Sequence, residues 1–245
     1  GAWLTLWLQH LGAEVAGYSN DVPTNPSLFD LLGMENRIVH RFGDVRNRPL
    51  LAAALDEFRP QTIFHLAAQP LVLRSLDNPV DTFEINTMGM VNLLECVRER
   101  PWIESVVLVT SDKAYRNEER ERGYLETDHL GGHDPYGSSK GCAELVAHSY
   151  HHSFLQDSPT TTATSRAGNV IGGGDWATDR IVPDCIRAWI TGDSVDVRSP
   201  QSTRPWQHVL EPLSGYLWLG ARLLDVPSLD GAAFNFGPDI QQDKT

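Results

Sequence analysis

Short β-branched runs alternate with helical stretches along the first two thirds of the chain, and this alternation constrains the fold more than any other feature. The predicted strands are Glu14–Tyr18, Arg37–Phe42, Thr62–Leu66, Ser105–Thr110 and Thr161–Arg166. The predicted helices between them are Trp3–Leu11, Arg48–Phe58, Val80–Arg100 and Tyr136–Leu155. Such alternation is typical of a parallel sheet with helices on both faces. We therefore predict an α/β fold with a doubly wound, Rossmann-like parallel sheet that binds ligands at the carboxyl ends of its strands.

The pattern changes after Ala167, and the change predicts a second, smaller lobe. Gly and Pro break the chain at Gly172–Gly174, Pro183, Pro200 and Pro205. A helical pattern resumes at Leu210–Leu224, and a strand pattern follows at Ala232–Phe236. We predict a main dinucleotide-binding domain over 1–167 and an interleaved, partial substrate-binding lobe over 168–245. The helix at 209–225 is expected to pack back on the main domain.

Charge and cysteine content exclude several functional classes. The formal net charge of −12 is opposite to the basic face of a nucleic-acid-binding protein. No apolar run is long enough to span a bilayer. The three cysteines, Cys96, Cys142 and Cys185, are far apart and form neither a metal motif nor a disulfide framework. We therefore predict a cytoplasmic protein with reduced thiols that binds no nucleic acid, membrane or metal.

The motif Tyr136-Gly-Ser-Ser-Lys140 is the strongest chemical signal in the chain. Residues four apart on a helix project from one face, and a nearby ammonium favours the phenolate form of a tyrosine. The spacing alone fits a solvated helix face equally well. However, the motif follows a strand that ends in the polar sequence Thr110-Ser111-Asp112-Lys113. This arrangement favours a tyrosine that acts as a general base.

A strand-borne serine followed by Tyr-x-x-x-Lys resembles the catalytic layout of the short-chain dehydrogenases/reductases. Two further motifs resemble cofactor loops of the same family: His65-Leu-Ala-Ala-Gln-Pro70 and Gly43-Asp-Val-Arg46. Two more resemble the substrate-lobe signatures of its extended branch, which handles nucleotide sugars: Arg166-Ala-Gly-Asn-Val170 and Arg204-Pro-Trp-Gln-His-Val209. The resemblance implies catalytic roles for Ser111, Asp112, Lys113, Tyr136 and Lys140. It implies cofactor contacts for Gly1, Asp44, Val45, Leu66, Ala67, Ala68, Gln69, Asn86, Tyr136 and Lys140. It implies substrate contacts for Arg74, Asn169, Arg204 and Asn235.

The pair that follows Ser111 distinguishes the reactions within this branch. Epimerases of the family lack an acid–base pair there, and dTDP-glucose dehydratases carry Asp then Glu. Asp112-Lys113 resembles the 4,6-dehydratases that act on CDP-glucose. A dehydratase for a dTDP- or GDP-sugar, a 4-epimerase and a non-catalytic dinucleotide-binding protein stay as alternatives. For Asp112-Lys113, the alternative to an acid–base role is a turn that carries one exposed ion pair.

The resemblance implies a reaction that passes through a 4-keto sugar. Tyr136, assisted by Lys140 and Ser111, takes the C4 hydroxyl proton. Lys113 is the candidate base at C5 and must be neutral at that moment. Asp112 is the candidate acid for the C6 hydroxyl, and the roles of these two residues could be exchanged.

The expected cofactor is NAD. After the Glu14–Tyr18 strand, Ser19-Asn20-Asp21 contains no arginine for the 2′-phosphate of NADP. NADP stays as the alternative. The expected substrate is CDP-glucose or a related nucleotide sugar, with the Arg204 guanidinium as a diphosphate partner. The resemblance further implies a homodimer formed through the long helices.

Several smaller expectations complete the sequence prediction. Gly1 resembles the last glycine of the family's glycine fingerprint, and the chain stops soon after Phe236-Gly237-Pro238. The resemblance therefore implies a chain truncated at both ends. Gly172–Gly174 is expected to form a turn, and Trp176 and Trp206 to pack in the interior. His151 and His152 are expected on an exposed helix end.

Overall fold

Strands and helices alternate along the computed structural model, which describes residues 1–120, 122–197 and 199–238. The strands are β1 (Ala16–Ser19), β2 (Val39–Phe42), β3 (Thr62–His65), β4 (Ser105–Val109), β5 (Thr161–Ala167), β6 (Val170–Ile171), β7 (Gln207–His208) and β8 (Ala233–Phe236). The helices are α1 (Ala2–His10), α2 (Leu28–Leu31), α3 (Arg48–Phe58), α4 (Val72–Asp77), α5 (Pro79–Phe83), α6 (Gly89–Arg98), α7 (Pro135–Tyr150), α8 (Ile181–Thr191) and α9 (Leu210–Arg222).

Parallel pairing aligns the carboxyl ends of the central strands. The central sheet has the order β3-β4-β5-β8, and every pair in it is parallel. Strands β1 and β2 form a separate parallel pair, and β6 and β7 form another. Helices cover both faces of the central sheet, so the prediction of a doubly wound α/β fold is confirmed.

Alternation along β4 divides the core into two layers. Val106 and Leu108 point into a layer with α3, α6 and α7, whereas Val107 points into a layer with α1 and α9. Leu219 of α9 is completely buried in the second layer. Burial of each such side chain stabilises the fold by about 2 kcal/mol. The second layer therefore holds α9 on the main sheet.

The predicted helix Val80–Arg100 is a composite element. Helix α5 passes through a π-helical turn at Glu84–Met88 into α6. The predicted helix Tyr136–Leu155 likewise ends in a π-helical turn, His151–Leu155. Hydrophobic periodicity does not distinguish such turns from α-helix, because they insert a single wider turn into a continuous helical run.

Two expectations after the long helices are wrong. Pro183 does not break the chain, because it lies in the first turn of α8, where a missing backbone N–H does no harm. His151 is buried rather than exposed: its Nδ1 lies 3.5 Å from Asp230 Oδ1. The chain at Gly231 crosses so close to the imidazole ring that a Cβ there would collide with it.

Membrane insertion finds no support in the part of the chain that the structure describes. None of the helices there combines the length and the apolar character that crossing a bilayer requires.

Candidate active site

The polar sequence after β4 forms a capped turn at the carboxyl edge of the sheet. Ser111 caps a 3₁₀ turn at Asp112–Ala114, and its hydroxyl oxygen accepts a hydrogen bond of 3.2 Å from the Lys113 backbone N–H. The same hydroxyl donates to Asp112 Oδ1 over 3.1 Å. The local hydrogen bonding of Ser111 thus fixes the two residues that follow it.

Helix α7 brings Tyr136 to this turn. Asp134 caps the helix by accepting a 2.9 Å hydrogen bond from Gly137 N, and Pro135 occupies the first helical position. A Cβ on Gly137 would lie only 2.7 Å from the Lys113 carbonyl oxygen. The glycine therefore permits the close approach of α7 to the turn that carries Lys113.

Burial has the largest effect on the pKa of Tyr136. Burial raises the pKa of Tyr136. The nearby Ser111 hydroxyl and the positive charge of Arg180 oppose this rise, whereas the negative charge of Asp112 adds to it. From the sequence, the Lys140 ammonium was expected to favour the phenolate and so to lower the pKa of this tyrosine. That expectation is wrong in sign, because the loss of hydration outweighs the favourable partners.

Lys140 lies one helical turn further along α7 and is buried. Its Nζ donates a 3.2 Å hydrogen bond to the Val109 carbonyl at the end of β4. Burial lowers the pKa of Lys140 to about 8, and the nearby Glu144 carboxylate partly opposes this. The lysine therefore anchors α7 to β4 next to Ser111.

Asp112 and Lys113 form an ion pair on the open side of the turn. Lys113 Nζ lies 3.7 Å from Asp112 Oδ2, and the two side chains are 42% and 29% exposed, respectively. The alternative considered from the sequence, a turn with one exposed ion pair, is therefore present in the structure, and this turn lies within the candidate site. A Cβ on Gly168 would be 3.5 Å from Asp112 Oδ2 and 2.7 Å from Pro205, so this glycine lets two loops meet beside the carboxylate.

The loop after β3 is fixed by two buried amides. Asn86 Oδ1 accepts a 2.8 Å hydrogen bond from Gln69 N, and Asn86 Nδ2 donates to Gln69 O and to Ser139 Oγ over 3.1 and 2.9 Å. Gln69 Nε2 donates to Thr82 Oγ1 over 2.9 Å. Asn86 therefore joins this loop to α7. Leu66 packs in the α9 layer of the core, and Ala67 and Ala68 complete the loop.

His65 begins this loop in a fully buried position. Burial, together with the charge of Lys140, lowers the pKa of His65 to about 3. Its imidazole therefore stays neutral across the physiological range.

The loop after β2 is held by a network of exposed charges. The Arg46 guanidinium pairs with Asp44 and with Asp81, each over 2.6 Å, and Arg74 pairs with Asp81 over 3.1 Å. The hydrogen bond from Arg46 lowers the pKa of Asp44. Val45 is buried against Gly89 at the start of α6. Arg74 is thus grouped with the predicted cofactor loop.

The candidate substrate residues lie on separate segments. Asn169 O accepts a 3.0 Å hydrogen bond from Gln207 N, which ties it to β7. Arg204 Nη1 donates to the Thr203 carbonyl over 2.7 Å. Asn235 on β8 has both ends of its amide engaged: Oδ1 accepts from the Tyr115 hydroxyl and Nδ2 donates to the Tyr124 carbonyl, each over 2.8 Å.

Three charged residues near the site were given no role by sequence reasoning. Glu144 and Arg166 form a buried ion pair of 2.7 Å behind Lys140. The available signal was the spacing of Glu144, four residues after Lys140, which places both on one helix face. Arg180 precedes α8 and lies close enough to influence Tyr136, but no sequence pattern marked it.

The parallel sheet and the grouping of Ser111, Tyr136 and Lys140 at its carboxyl edge define a Rossmann-like enzyme of the short-chain dehydrogenase/reductase type. More narrowly, the chain belongs to the family described as GDP-mannose 4,6 dehydratase, whose model matches residues 1–219. The predicted resemblance to nucleotide-sugar dehydratases is therefore confirmed.

Comparison with individual proteins gives the same grouping. The chain is 46% identical over its whole length to the CDP-glucose 4,6-dehydratase of Salmonella typhimurium, and it covers 70% of that protein. The UDP-glucose 4-epimerase of Thermus thermophilus, solved in complex with NAD, is 25% identical with a TM-score of 0.79, covering 100% of this chain and 76% of its own. The dTDP-glucose 4,6-dehydratase of Streptomyces venezuelae, solved with NAD, shares the fold at 22% identity and a TM-score of 0.80, covering 96% and 71%.

Proposed function

We propose that the protein is a 4,6-dehydratase that converts CDP-glucose into CDP-4-keto-6-deoxyglucose with NAD as its cofactor. The observation that carries the proposal is the Asp112–Lys113 ion pair of 3.7 Å, which adjoins Ser111 beside Tyr136. A dehydratase needs both an acid and a base near the sugar, in addition to the groups that oxidise C4. The identity to the Salmonella enzyme over the whole chain supports CDP-glucose as the substrate.

The loops at the carboxyl edge suit a dinucleotide. The ends of β1, β2, β3 and β4 open on the side where doubly wound folds bind such ligands. On this proposal Gly1, Asp44, Val45 and the Leu66–Gln69 loop contact NAD, while Asn86 holds that loop in place. When bound, NAD supplies a hydride acceptor at C4 and a hydride donor at C6. The turn Ser19-Asn20-Asp21 lacks a cation for a 2′-phosphate, which favours NAD over NADP.

Tyr136 carries out the proton transfer of the oxidation. Its phenolate oxygen takes the C4 hydroxyl proton, and the nearby Ser111 hydroxyl assists this transfer. Because burial raises the pKa of Tyr136, the phenolate needs the positive charge of Lys140 nearby. Lys140 holds this position through its hydrogen bond to Val109.

Asp112 and Lys113 carry out the elimination as a proton-sharing pair. The ionic and the neutral forms of the pair differ only in which of the two residues holds one proton. The two atoms that exchange this proton are 3.7 Å apart. In the neutral form, Lys113 takes the C5 proton and the Asp112 carboxylic acid gives its proton to the departing C6 hydroxyl, which leaves as water. The pair is then ionic. When hydride is delivered to C6, Lys113 returns its proton to C5, which completes the 4-keto-6-deoxy sugar. The proton that Tyr136 took from the C4 hydroxyl then replaces, through solvent, the one that Asp112 lost, and this restores the reactive form.

The remaining assignments follow from the same proposal. Residues 1–167 bind NAD, and 168–245 form a partial substrate lobe, of which 239–245 lie outside the described residues. Asn169 and Arg204 contact the nucleotide diphosphate, and Arg74 and Asn235 are the further substrate candidates. A cytoplasmic location remains a prediction.

A homodimer is also proposed, with α7 in its interface. Leu145 on α7 and Phe154 just beyond it are 60% and 52% exposed, and burial of such side chains between two copies would stabilise the dimer. Light scattering after size exclusion tests this proposal: a dimer mass supports it and a monomer mass contradicts it.

A panel of nucleotide sugars tests the proposed activity. The protein at its natural full length, loaded with NAD, is incubated separately with CDP-glucose, dTDP-glucose, UDP-glucose and GDP-mannose, and the products are weighed by mass spectrometry. Loss of one water from CDP-glucose alone is the expected result. Loss of water from another sugar instead, or an unchanged mass with a changed sugar configuration, would assign the protein to another branch of the family.

A further inference from the structure

A buried polar cluster lies directly behind the candidate active site. It consists of Thr110, Tyr115, Glu144, Thr164, Arg166 and Asn235, and we call it the Arg166 cluster. Arg166 and Glu144 are only 5% and 4% exposed. Buried charges are costly unless they are fully paired, so the contacts of these two residues decide what the cluster does.

The Glu144 carboxylate accepts four hydrogen bonds from members of the cluster. Oε1 accepts hydrogen bonds from Arg166 Nε over 2.9 Å and from the Thr110 hydroxyl. Oε2 accepts from Arg166 Nη2 over 2.7 Å and from Thr164 Oγ1 over 2.8 Å. A carboxylate with a bidentate arginine and two hydroxyl donors is held in a single orientation.

The opposite side of the guanidinium reaches the turn that follows Ser111. Arg166 Nη1 donates to the Tyr115 hydroxyl over 2.6 Å and to the Glu126 carbonyl over 3.0 Å. The Tyr115 hydroxyl in turn donates to Asn235 Oδ1 over 2.8 Å. The Glu144–Arg166 pair raises the pKa of Arg166 despite its burial, which keeps the guanidinium charged.

Three members of the cluster adjoin catalytic residues in the chain. Thr110 immediately precedes Ser111, and Tyr115 immediately follows the turn Asp112–Ala114. Glu144 lies one helical turn beyond Lys140 on α7. A single carboxylate thus contacts the segments that carry both halves of the candidate site.

A second buried arginine, whose carboxylate partner Asp56 is 54% exposed, provides a comparison. Arg100 donates to both oxygens of Asp56, each over 2.8 Å. Arg100 precedes β4, whereas Ser111 follows the same strand. The length of β4, about 17 Å, therefore separates the Arg100–Asp56 pair from the candidate site. The Glu144–Arg166 pair differs in lying at the catalytic end of the sheet.

We propose, resting on the dehydratase function proposed above, that Glu144 is a positioning residue: through Arg166 and Thr110 it holds the Ser111 turn and the Lys140 face of α7 in their catalytic alignment. Without the carboxylate, the buried guanidinium loses two hydrogen bonds and the two segments separate. A displacement of about 1 Å at such a site lowers the rate by up to ~100-fold.

Glu144→Gln tests the proposal in the NAD-loaded protein. Asp56→Asn is the control, because it neutralises the other carboxylate that receives two hydrogen bonds from a buried arginine, away from the site. Glu144→Gln is expected to lower kcat per folded molecule by ~10- to 100-fold with a KM for CDP-glucose within about 3-fold of wild type, while Asp56→Asn leaves both unchanged.

The pH dependence of kcat provides a second readout. Two titratable groups face Lys140: the His65 imidazole is neutral, and the Glu144 carboxylate raises the pKa of the lysine. The alkaline limb of kcat should therefore move to lower pH in Glu144→Gln. An unchanged kcat in Glu144→Gln overturns the proposal. So does a fall in kcat that Asp56→Asn shows equally, if the alkaline limb of Glu144→Gln stays at the wild-type pH.

Tyr115→Phe decides the case if Glu144→Gln fails to fold. The change removes only the hydroxyl between Arg166 and Asn235, and we expect kcat to fall by ~3- to 10-fold with the alkaline limb unmoved, because no charge is lost. Tyr150→Phe is the control: that hydroxyl donates to Glu95 over 3.0 Å, outside the cluster. Equal kcat values for the two variants overturn the proposal.

Hydrogen exchange separates failure of this proposal from failure of the dehydratase function. The amides of Thr110, Ala114 and Tyr115 are hydrogen-bonded in the structure. Faster exchange of these amides in Glu144→Gln than in Asp56→Asn supports the positioning role even if the wild type does not act on CDP-glucose. Equal exchange in the two variants overturns it, whatever the substrate.

Discussion

Substitution of Gly137 by alanine should separate the two halves of the candidate site. The new Cβ would lie 2.7 Å from the Lys113 carbonyl oxygen and 3.1 Å from Gly132 Cα, and both of these are backbone atoms with little freedom to move. Backbone carbon–oxygen contacts normally stay at about 3.3 Å or more, so α7 must retreat by roughly 0.6 Å from the turn that carries Lys113. This retreat moves Tyr136 away from Ser111.

The expected cost is larger in rate than in stability. A displacement of this size should lower kcat by ~10-fold, and the overpacking should destabilise the fold by about 1 to 3 kcal/mol. Steady-state kinetics on CDP-glucose and urea unfolding measure the two effects.

A second glycine on the same helix provides the control. A Cβ on Gly141 would meet its nearest atom, the Ala114 carbonyl oxygen, at 3.4 Å, which is an ordinary contact. Gly141→Ala should therefore keep wild-type kcat and gain up to ~1 kcal/mol of stability from helix propensity. If Gly137→Ala is as active as Gly141→Ala, the close approach of α7 to the turn is not what positions Tyr136.

Three further outcomes are expected. Tyr136→Phe should lower kcat by at least ~100-fold while NAD still binds, as measured by kinetics and by calorimetric titration; near-normal turnover would exclude Tyr136 as the base. Because burial lowers the pKa of Lys140 from 10.5 to about 8, the unfolded chain binds more protons between these values, and the stability of the folded protein rises with pH across that window. This rise, ~3 kcal/mol at most, should appear in urea unfolding of the wild type and be absent in Lys140→Met; an equal rise in both would contradict the burial of a titrating amine. Leu219→Ala should lower the free energy of unfolding by about 2 to 5 kcal/mol, since the side chain is fully buried beneath α9; a loss below ~1 kcal/mol would mean that this layer adds little.

The main sheet was predictable because its signals are local. The strands at Thr62, Ser105 and Thr161 combine β-branched residues with flanking turns, and the structure pairs them in parallel as predicted. The small ribbon of β6 and β7 was not predicted, since two-residue strands carry no periodicity. Helix α8 was missed because Pro183 was interpreted as a break instead of a first-turn residue.

The candidate site was predictable only to the extent that its residues lie close in sequence. Ser111 and Tyr136 meet because one ends a central strand and the other begins the following helix, a relation that the motif contains. The sign of the Tyr136 pKa shift was not predictable, because burial depends on the packing of the whole fold. The Glu144–Arg166 pair joins residues from a helix and a strand, and neither charge looks buried from its neighbours in the chain.

The most direct test of the proposed dehydratase reaction is the fate of a deuterium atom at C4 of the sugar. CDP-glucose labelled with deuterium at C4 is incubated with the NAD-loaded protein, and the product is examined by mass spectrometry and NMR. The expected product has lost one water and carries the deuterium at C6, because the hydride removed from C4 returns within the same molecule. A product that keeps its C6 hydroxyl, or one without deuterium at C6, would contradict it.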